Sequence, residues 1–130
     1  MKLALRVFGP TLVRRIPFEP LFFLDQARQV RAAVKLPLVY LGGVTSLEAA
    51  ETAMAAGFEL VAMGRALLSD PDLVRRWSEG RGTATRCTPC NECIAEMDRE
   101  GGVLCAKDES QLARRAREVA LGMHLRVAGA

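Results

Sequence analysis

The sequence predicts an α/β fold built on parallel strands. Two short apolar runs, Leu38-Val39-Tyr40-Leu41 and Leu60-Val61-Ala62-Met63, each end in a glycine-bearing turn, Gly42-Gly43 and Gly64-Arg65. Neither run alternates apolar with polar residues, which suits parallel strands buried on both faces. One helical pattern lies between them, so the three segments make a βαβ unit with a right-handed crossover.

Composition narrows the setting. The chain has 130 residues, half of them hydrophobic and a quarter charged, which is the make-up of one globular domain. Eighteen Lys+Arg stand against 15 Asp+Glu, a net charge of +3, too small to indicate a nucleic-acid partner. No apolar run reaches the roughly 18 residues of a membrane span. Arg6, Arg14 and Arg15 interrupt any signal-peptide core. The expected location is therefore the cytoplasm, where cysteines are thiols or metal ligands rather than disulfides.

The elements follow in order. Gly9, Pro10, Pro17 and Pro20, interleaved with Phe8, Ile16 and Phe18, make residues 1–20 an irregular apolar connector. From Phe22 the pattern is helical, with Phe23, Ala27, Val30 and Val34 on one face, Asp25 in the first turn and Lys35 near the end. Pro37 stops it. After the first strand, Thr45 is the expected N-cap of a second helix, with Glu48 three residues on as a capping box. Leu47, Ala50 and Met54 supply its inner face and Gly57 ends it. After the second strand, Asp70-Pro71 is expected to cap a helix carrying Leu73, Val74 and Trp77, closed by Gly80 and Gly82.

Residues 83–130 differ in kind from residues 1–82, and we place the organisational boundary there. A Thr-, Cys- and Gly-rich stretch leads into a helix over 109–121, with Leu112, Ala116 and Val119 inward and its arginines outward. The tail beyond Gly122, including the lone His124, is expected to fray. Tyr40 reads as core.

Two groups of residues could carry chemistry. Ligands of parallel β/α folds bind beyond the carboxyl ends of the strands. There Gly42, Gly43 and Gly64 would let a phosphate reach backbone N–H groups, and Arg65 would add a forked, charge-assisted hydrogen bond. Singly, each glycine is also an ordinary turn residue. The second group is Cys87, Cys90 and Cys93, spaced C-x2-C-x2-C, with Cys105 separated from the third by eleven residues. Four thiols so spaced suit an iron–sulfur cluster or zinc, and a shared central cysteine favours the cluster. Four reduced, partly buried thiols in a loop-rich tail are the alternative.

The stretches 37–46, 61–74 and 87–93, in that order, resemble the old yellow enzyme family of NADH:flavin oxidoreductases. The resemblance covers roughly residues 5–107. It implies a TIM (β/α)8 barrel with FMN, of which this chain is the C-terminal fragment: the last two β/α units, a cysteine-rich loop and a C-terminal helix. Residues 38–41 and 60–63 would be the seventh and eighth strands, and Gly42, Gly43, Gly64 and Arg65 would hold the FMN phosphate. Family members take hydride from NAD(P)H and reduce activated alkenes. The cysteine segment resembles the 4Fe-4S site of the 2,4-dienoyl-CoA reductase and trimethylamine dehydrogenase branch, which implies Cys87, Cys90, Cys93 and Cys105 as ligands. Nothing matches the family's proton donor, so no catalytic residue is assigned.

A barrel of this type needs roughly 250 residues, so the strands of this chain are expected to keep unpaired apolar edges. Self-association or a missing N-terminal part of the barrel would cover them. The expected role is that of a partial FMN-dependent ene-reductase with little catalysis of its own. The alternative is a non-enzymatic metal-binding or assembly module. A third reading is a phosphate-binding β/α unit unrelated to flavins.

Overall fold

In the computed structural model, residues 17–97 and 102–121 are described. Residues 1–16 of the apolar connector and the tail with His124 lie outside them. Contacts divide the described chain into two compact units, residues 17–89 and residues from 90 onward.

The first unit is the βαβ arrangement. Helix α1 (Leu24–Ala33) leads to β1 (Val39–Leu41), helix α2 (Leu47–Ala55) and β2 (Leu60–Ala62). The strands pair in parallel, with Val39 opposite Leu60, Tyr40 opposite Val61 and Leu41 opposite Ala62. Two short helices follow, α3 (Arg65–Ser69) and α4 (Leu73–Ser78). The core is Leu24, Tyr40, Val44, Ala49, Ala53 and Phe58, with the Tyr40 and Phe58 rings edge to face at 5.4 Å.

Several sequence expectations are corrected here. The strands are covered on one face only: Tyr40 is 1% exposed, but Val39, Leu41 and Leu60 are 54%, 63% and 62% exposed. Successive strand residues point to opposite faces, and within this unit helices pack only on the Tyr40 side. On α1, Leu24 is buried while Phe23 and Val30 are exposed. Lys35 lies beyond the helix, and Arg31 is the basic residue of its last turn. Its guanidinium donates to the Val34 and Leu36 carbonyls at 2.6 and 2.8 Å, satisfying the chain end that Pro37 prevents from continuing as helix.

The inner face of α2 is Ala49 and Ala53, with Met54 exposed. Its N-cap is Ser46, whose hydroxyl accepts from the Ala49 N–H at 3.1 Å, rather than Thr45. The Thr45 carbonyl is already engaged, accepting from the Thr85 N–H at 2.9 Å beside an antiparallel bridge between Ser46 and Ala84. That pairing takes the Thr45 carbonyl, and the helix starts one residue later, from the extended Ser46. Gly57, with φ +94°, ends α2 as expected.

Asp70 caps nothing. It is 1% exposed and accepts from Arg76 at 2.5 Å, with Arg86 at 3.6 Å. The N-cap of α4 is Asp72, which makes no side-chain cap bond. Leu73 is fully buried and Val74 exposed. Arg76 also donates to the Arg81 and Ala84 carbonyls, so one buried carboxylate anchors the return of the chain after α4.

In the second unit a 3-10 turn over Glu92–Glu96 precedes α5 (Glu109–Ala120), which is capped by Asp108 accepting from the Ser110 and Gln111 N–H groups. Ala116 is exposed rather than inward. Arg115 is the inward arginine: its side chain is 12% exposed and pairs with the buried Glu96 at 2.7 Å. A buried carboxylate needs a cation more than the helix face needs another methyl group.

Candidate functional site

A cavity of about 290 Å³ lies beyond the carboxyl ends of β1 and β2. All four glycine and arginine positions expected to hold a phosphate, Gly42, Gly43, Gly64 and Arg65, line it. The backbone explains how. Gly42 (φ +152°) and Gly43 (φ +69°) turn the chain in conformations that favour glycine. The buried Tyr40 hydroxyl donates to the Gly42 carbonyl at 2.8 Å and fixes that turn. Burial pushes the Tyr40 hydroxyl pKa up, partly offset by a hydrogen bond from the Phe23 backbone. It stays a neutral donor.

The glycines have different reasons. A Cβ at Gly43 would stand 2.8 Å from the Leu21 nitrogen, and one at Gly42 would stand 3.0 Å from Phe23 Cδ2. Those two are required by the chain's own packing. Gly64 has φ −91°, and a Cβ there would meet nothing within 4 Å. Its missing side chain leaves an open approach to the backbone beside Arg65.

Sequence reasoning missed the cavity's other wall. Phe18, Phe22 and Phe23 line it, as do Cys87 and Pro89. Thr85 links that wall to α3: its hydroxyl donates to the Ala66 carbonyl and accepts from the Cys87 N–H, both at 3.2 Å. No local pattern marks Thr85, since its partner is 19 residues away. The buried Asp70 was legible only as a cap, because an Asp-Pro step looks the same in either role.

The cysteines are distributed differently. Cys87 belongs to the first unit, and Cys90, Cys93 and Cys105 to the second. None of the four is in a disulfide, and all are of intermediate exposure. Their donor chemistry suits a soft metal, but among the described residues no three His, Cys, Asp or Glu side chains are placed to hold one.

Comparison with known proteins decides the family. Residues 11–84 match the NADH:flavin oxidoreductase / NADH oxidase family. The chain belongs to that family. This NADH:flavin oxidoreductase family chain is 38% identical over 112 residues to a 4,4'-dithiodibutanoate disulfide reductase of Rhodococcus erythropolis, covering 86% of this chain and 27% of that protein. It is 33% identical over 84 residues to an NADH oxidase of Thermoanaerobacter brockii, covering 63% of this chain and 13% of that protein. A bilirubin reductase of Mediterraneibacter gnavus is 34% identical over 77 residues, 57% of this chain and 12% of its own length. The chain thus spans about a quarter or less of these relatives. No solved structure matches it. Among the described residues no helix is long and apolar enough to cross a membrane.

Proposed function

We propose that this chain is the FMN-phosphate-binding end of a flavin-dependent NAD(P)H oxidoreductase of ene-reductase type, formed by the last two units of a (β/α)8 barrel. The observation that carries the reading is Gly64. Its backbone is approachable, its lack of a side chain is not demanded by neighbouring atoms, and Arg65 stands next to it in the cavity wall. The uncovered side of the strands supports the barrel. Val39, Leu41 and Leu60 alternate with residues facing the helices, as side chains filling a barrel interior would.

When bound, FMN supplies a ring that accepts and returns a hydride. This chain's residues bind and orient. The Gly64 backbone and the Arg65 guanidinium take the phosphate, Tyr40 holds the Gly42 turn, and Thr85 fixes the Cys87 side of the cavity. No proton donor is assigned among them. The test is Arg65→Ala with fluorescence-quenching titration of FMN. Loss of a charge-assisted contact worth about 1.5–3 kcal/mol is expected to weaken FMN binding by about tenfold to a hundredfold. Riboflavin, which lacks the phosphate, should be unaffected. Unchanged FMN affinity would sink the reading.

The metal-binding or assembly module remains a second reading, favoured by four half-buried cysteines, none in a disulfide. It predicts iron or zinc in purified protein without flavin, lost on Cys90→Ser.

A further inference from the structure

The phosphate reading uses one side of the cavity and leaves its aromatic side without a role. Phe22 and Phe23 line the cavity and are 41% and 54% exposed, unusual for large apolar rings beside a core. They pack edge to face with centroids 4.5 Å apart, and Phe18 extends the row at 6.4 Å from Phe22.

Several features hold these rings outward. Leu21, directly before them, is in the left-handed region at φ +56°, a strained conformation for a branched side chain. Its N–H donates to the Gly43 carbonyl at 3.2 Å, and its carbonyl accepts from the Leu24 N–H at 2.8 Å. The glycine turn is cleared for the same rings: a Cβ on Gly43 would lie 2.8 Å from Phe22 Cδ1, and one on Gly42 3.0 Å from Phe23 Cδ2. The Tyr40 hydroxyl completes the brace, donating to the Gly42 carbonyl and accepting from the Phe23 backbone. Strain, two glycines and a buried hydroxyl thus converge on presenting two phenyl rings to the cavity. Backbone strain of this kind clusters at ligand sites.

We propose that Phe22 and Phe23 are specificity residues of this site, selecting phosphate esters that carry an aromatic ring system over inorganic phosphate. This rests on the phosphate reading of Gly64 and Arg65 and deepens it. Exposed rings gain from stacking or edge contacts with a planar ligand and from removal of apolar surface from water. A bare phosphate offers them neither. The two walls therefore recognise the two ends of one amphipathic ligand, and Gly42-Gly43 serve the aromatic wall rather than the phosphate.

The experiment titrates FMN, riboflavin and inorganic phosphate against the full chain and three variants: Phe22→Leu with Phe23→Leu, the rescue Phe22→Tyr with Phe23→Tyr, and Arg65→Ala. Thermal unfolding is followed on each. The Leu pair is expected to weaken FMN and riboflavin about tenfold while leaving inorganic phosphate unchanged, and the Tyr pair to restore both. Arg65→Ala should give the converse, weakening FMN and phosphate but not riboflavin. Unchanged FMN and riboflavin affinity in the Leu pair would overturn the proposal and leave the phosphate site standing. So would an equal loss of FMN and inorganic phosphate, which would make the rings a shape-keeping wall. A wild-type chain that binds neither FMN nor phosphate would overturn the functional reading itself, and this inference with it.

Discussion

In residues 17–89, Tyr40, Ala49, Ala53 and Phe58 close on one another with 5% or less of each exposed. In the unit that begins at Cys90, Leu104 is the one buried apolar side chain among the described residues. There Glu96 pairs with Arg115, Glu92 with Lys107 at 3.6 Å, and Asp108 gathers Ser110 and Gln111. Area removed from water holds the first region, whereas directional polar contacts hold the second. The family match ends at residue 84, inside the first region. The difference teaches that the glycine turns at the strand ends rest on an apolar support, while a cysteine-bearing loop can be tied by a few charges.

Substitution at the centre of the apolar support should break the comparison most. Tyr40→Ala removes a ring packed on Phe58 and the hydroxyl's contacts with the Gly42 carbonyl and the Phe23 backbone. It is expected to cost about 3–5 kcal/mol in urea denaturation followed by Trp77 fluorescence. A change below about 1 kcal/mol would mean that burial is not what holds this region.

A smaller effect is expected from the charged region. Glu96→Gln leaves Arg115 without its anion and should cost about 1.5–3 kcal/mol. The loss should be confined to faster hydrogen exchange at α5 amides, with those of β1 and β2 unmoved. Equal acceleration in both regions would show one cooperative body rather than two kinds of support.

Acid should have the smallest effect. Hydrogen bonds from the Leu38 and its own backbone N–H, with the charge of Arg31, hold the Glu59 carboxyl below the usual carboxylate range. The Ser110 hydroxyl and the Gln111 N–H do the same for Asp108. Because both folded values are depressed, their contribution is present above the ordinary carboxylate pKa of about 4 and lost as pH falls through the lower folded value. Circular dichroism melts should show the midpoint falling over that window. Asp108→Asn should flatten the fall for α5, and Glu59→Gln the fall for the β/α region. An unchanged slope in both variants would remove these two groups from the acid response.

The strands, the crossover helix, the glycine turns and the last helix were legible because each is a local pattern. An apolar run stops at a glycine, and a helix shows its period, whatever surrounds it. Which side of each element is buried was not legible. Phe23 and Val30 share a helical stripe with Ala27 but face outward, because the core forms around Leu24 instead. The cavity residues Gly42, Gly43, Gly64 and Arg65 were readable from the strand ends. Phe22, Phe23 and Thr85 were not, since they reach the cavity from segments whose local pattern says only helix start or loop.

The sequence by itself therefore determined the element order, the parallel pairing and the position of the glycine turns that line the cavity, since backbone geometry and chain connectivity act over a few residues. Only the tertiary structure decided that Asp70 is a buried ion-pair partner, that Ser46 starts α2, that Arg115 turns inward, and that Gly64 alone of the three glycines stands open. Those outcomes depend on which distant atoms fill or leave empty the space around each side chain, and no local pattern encodes that.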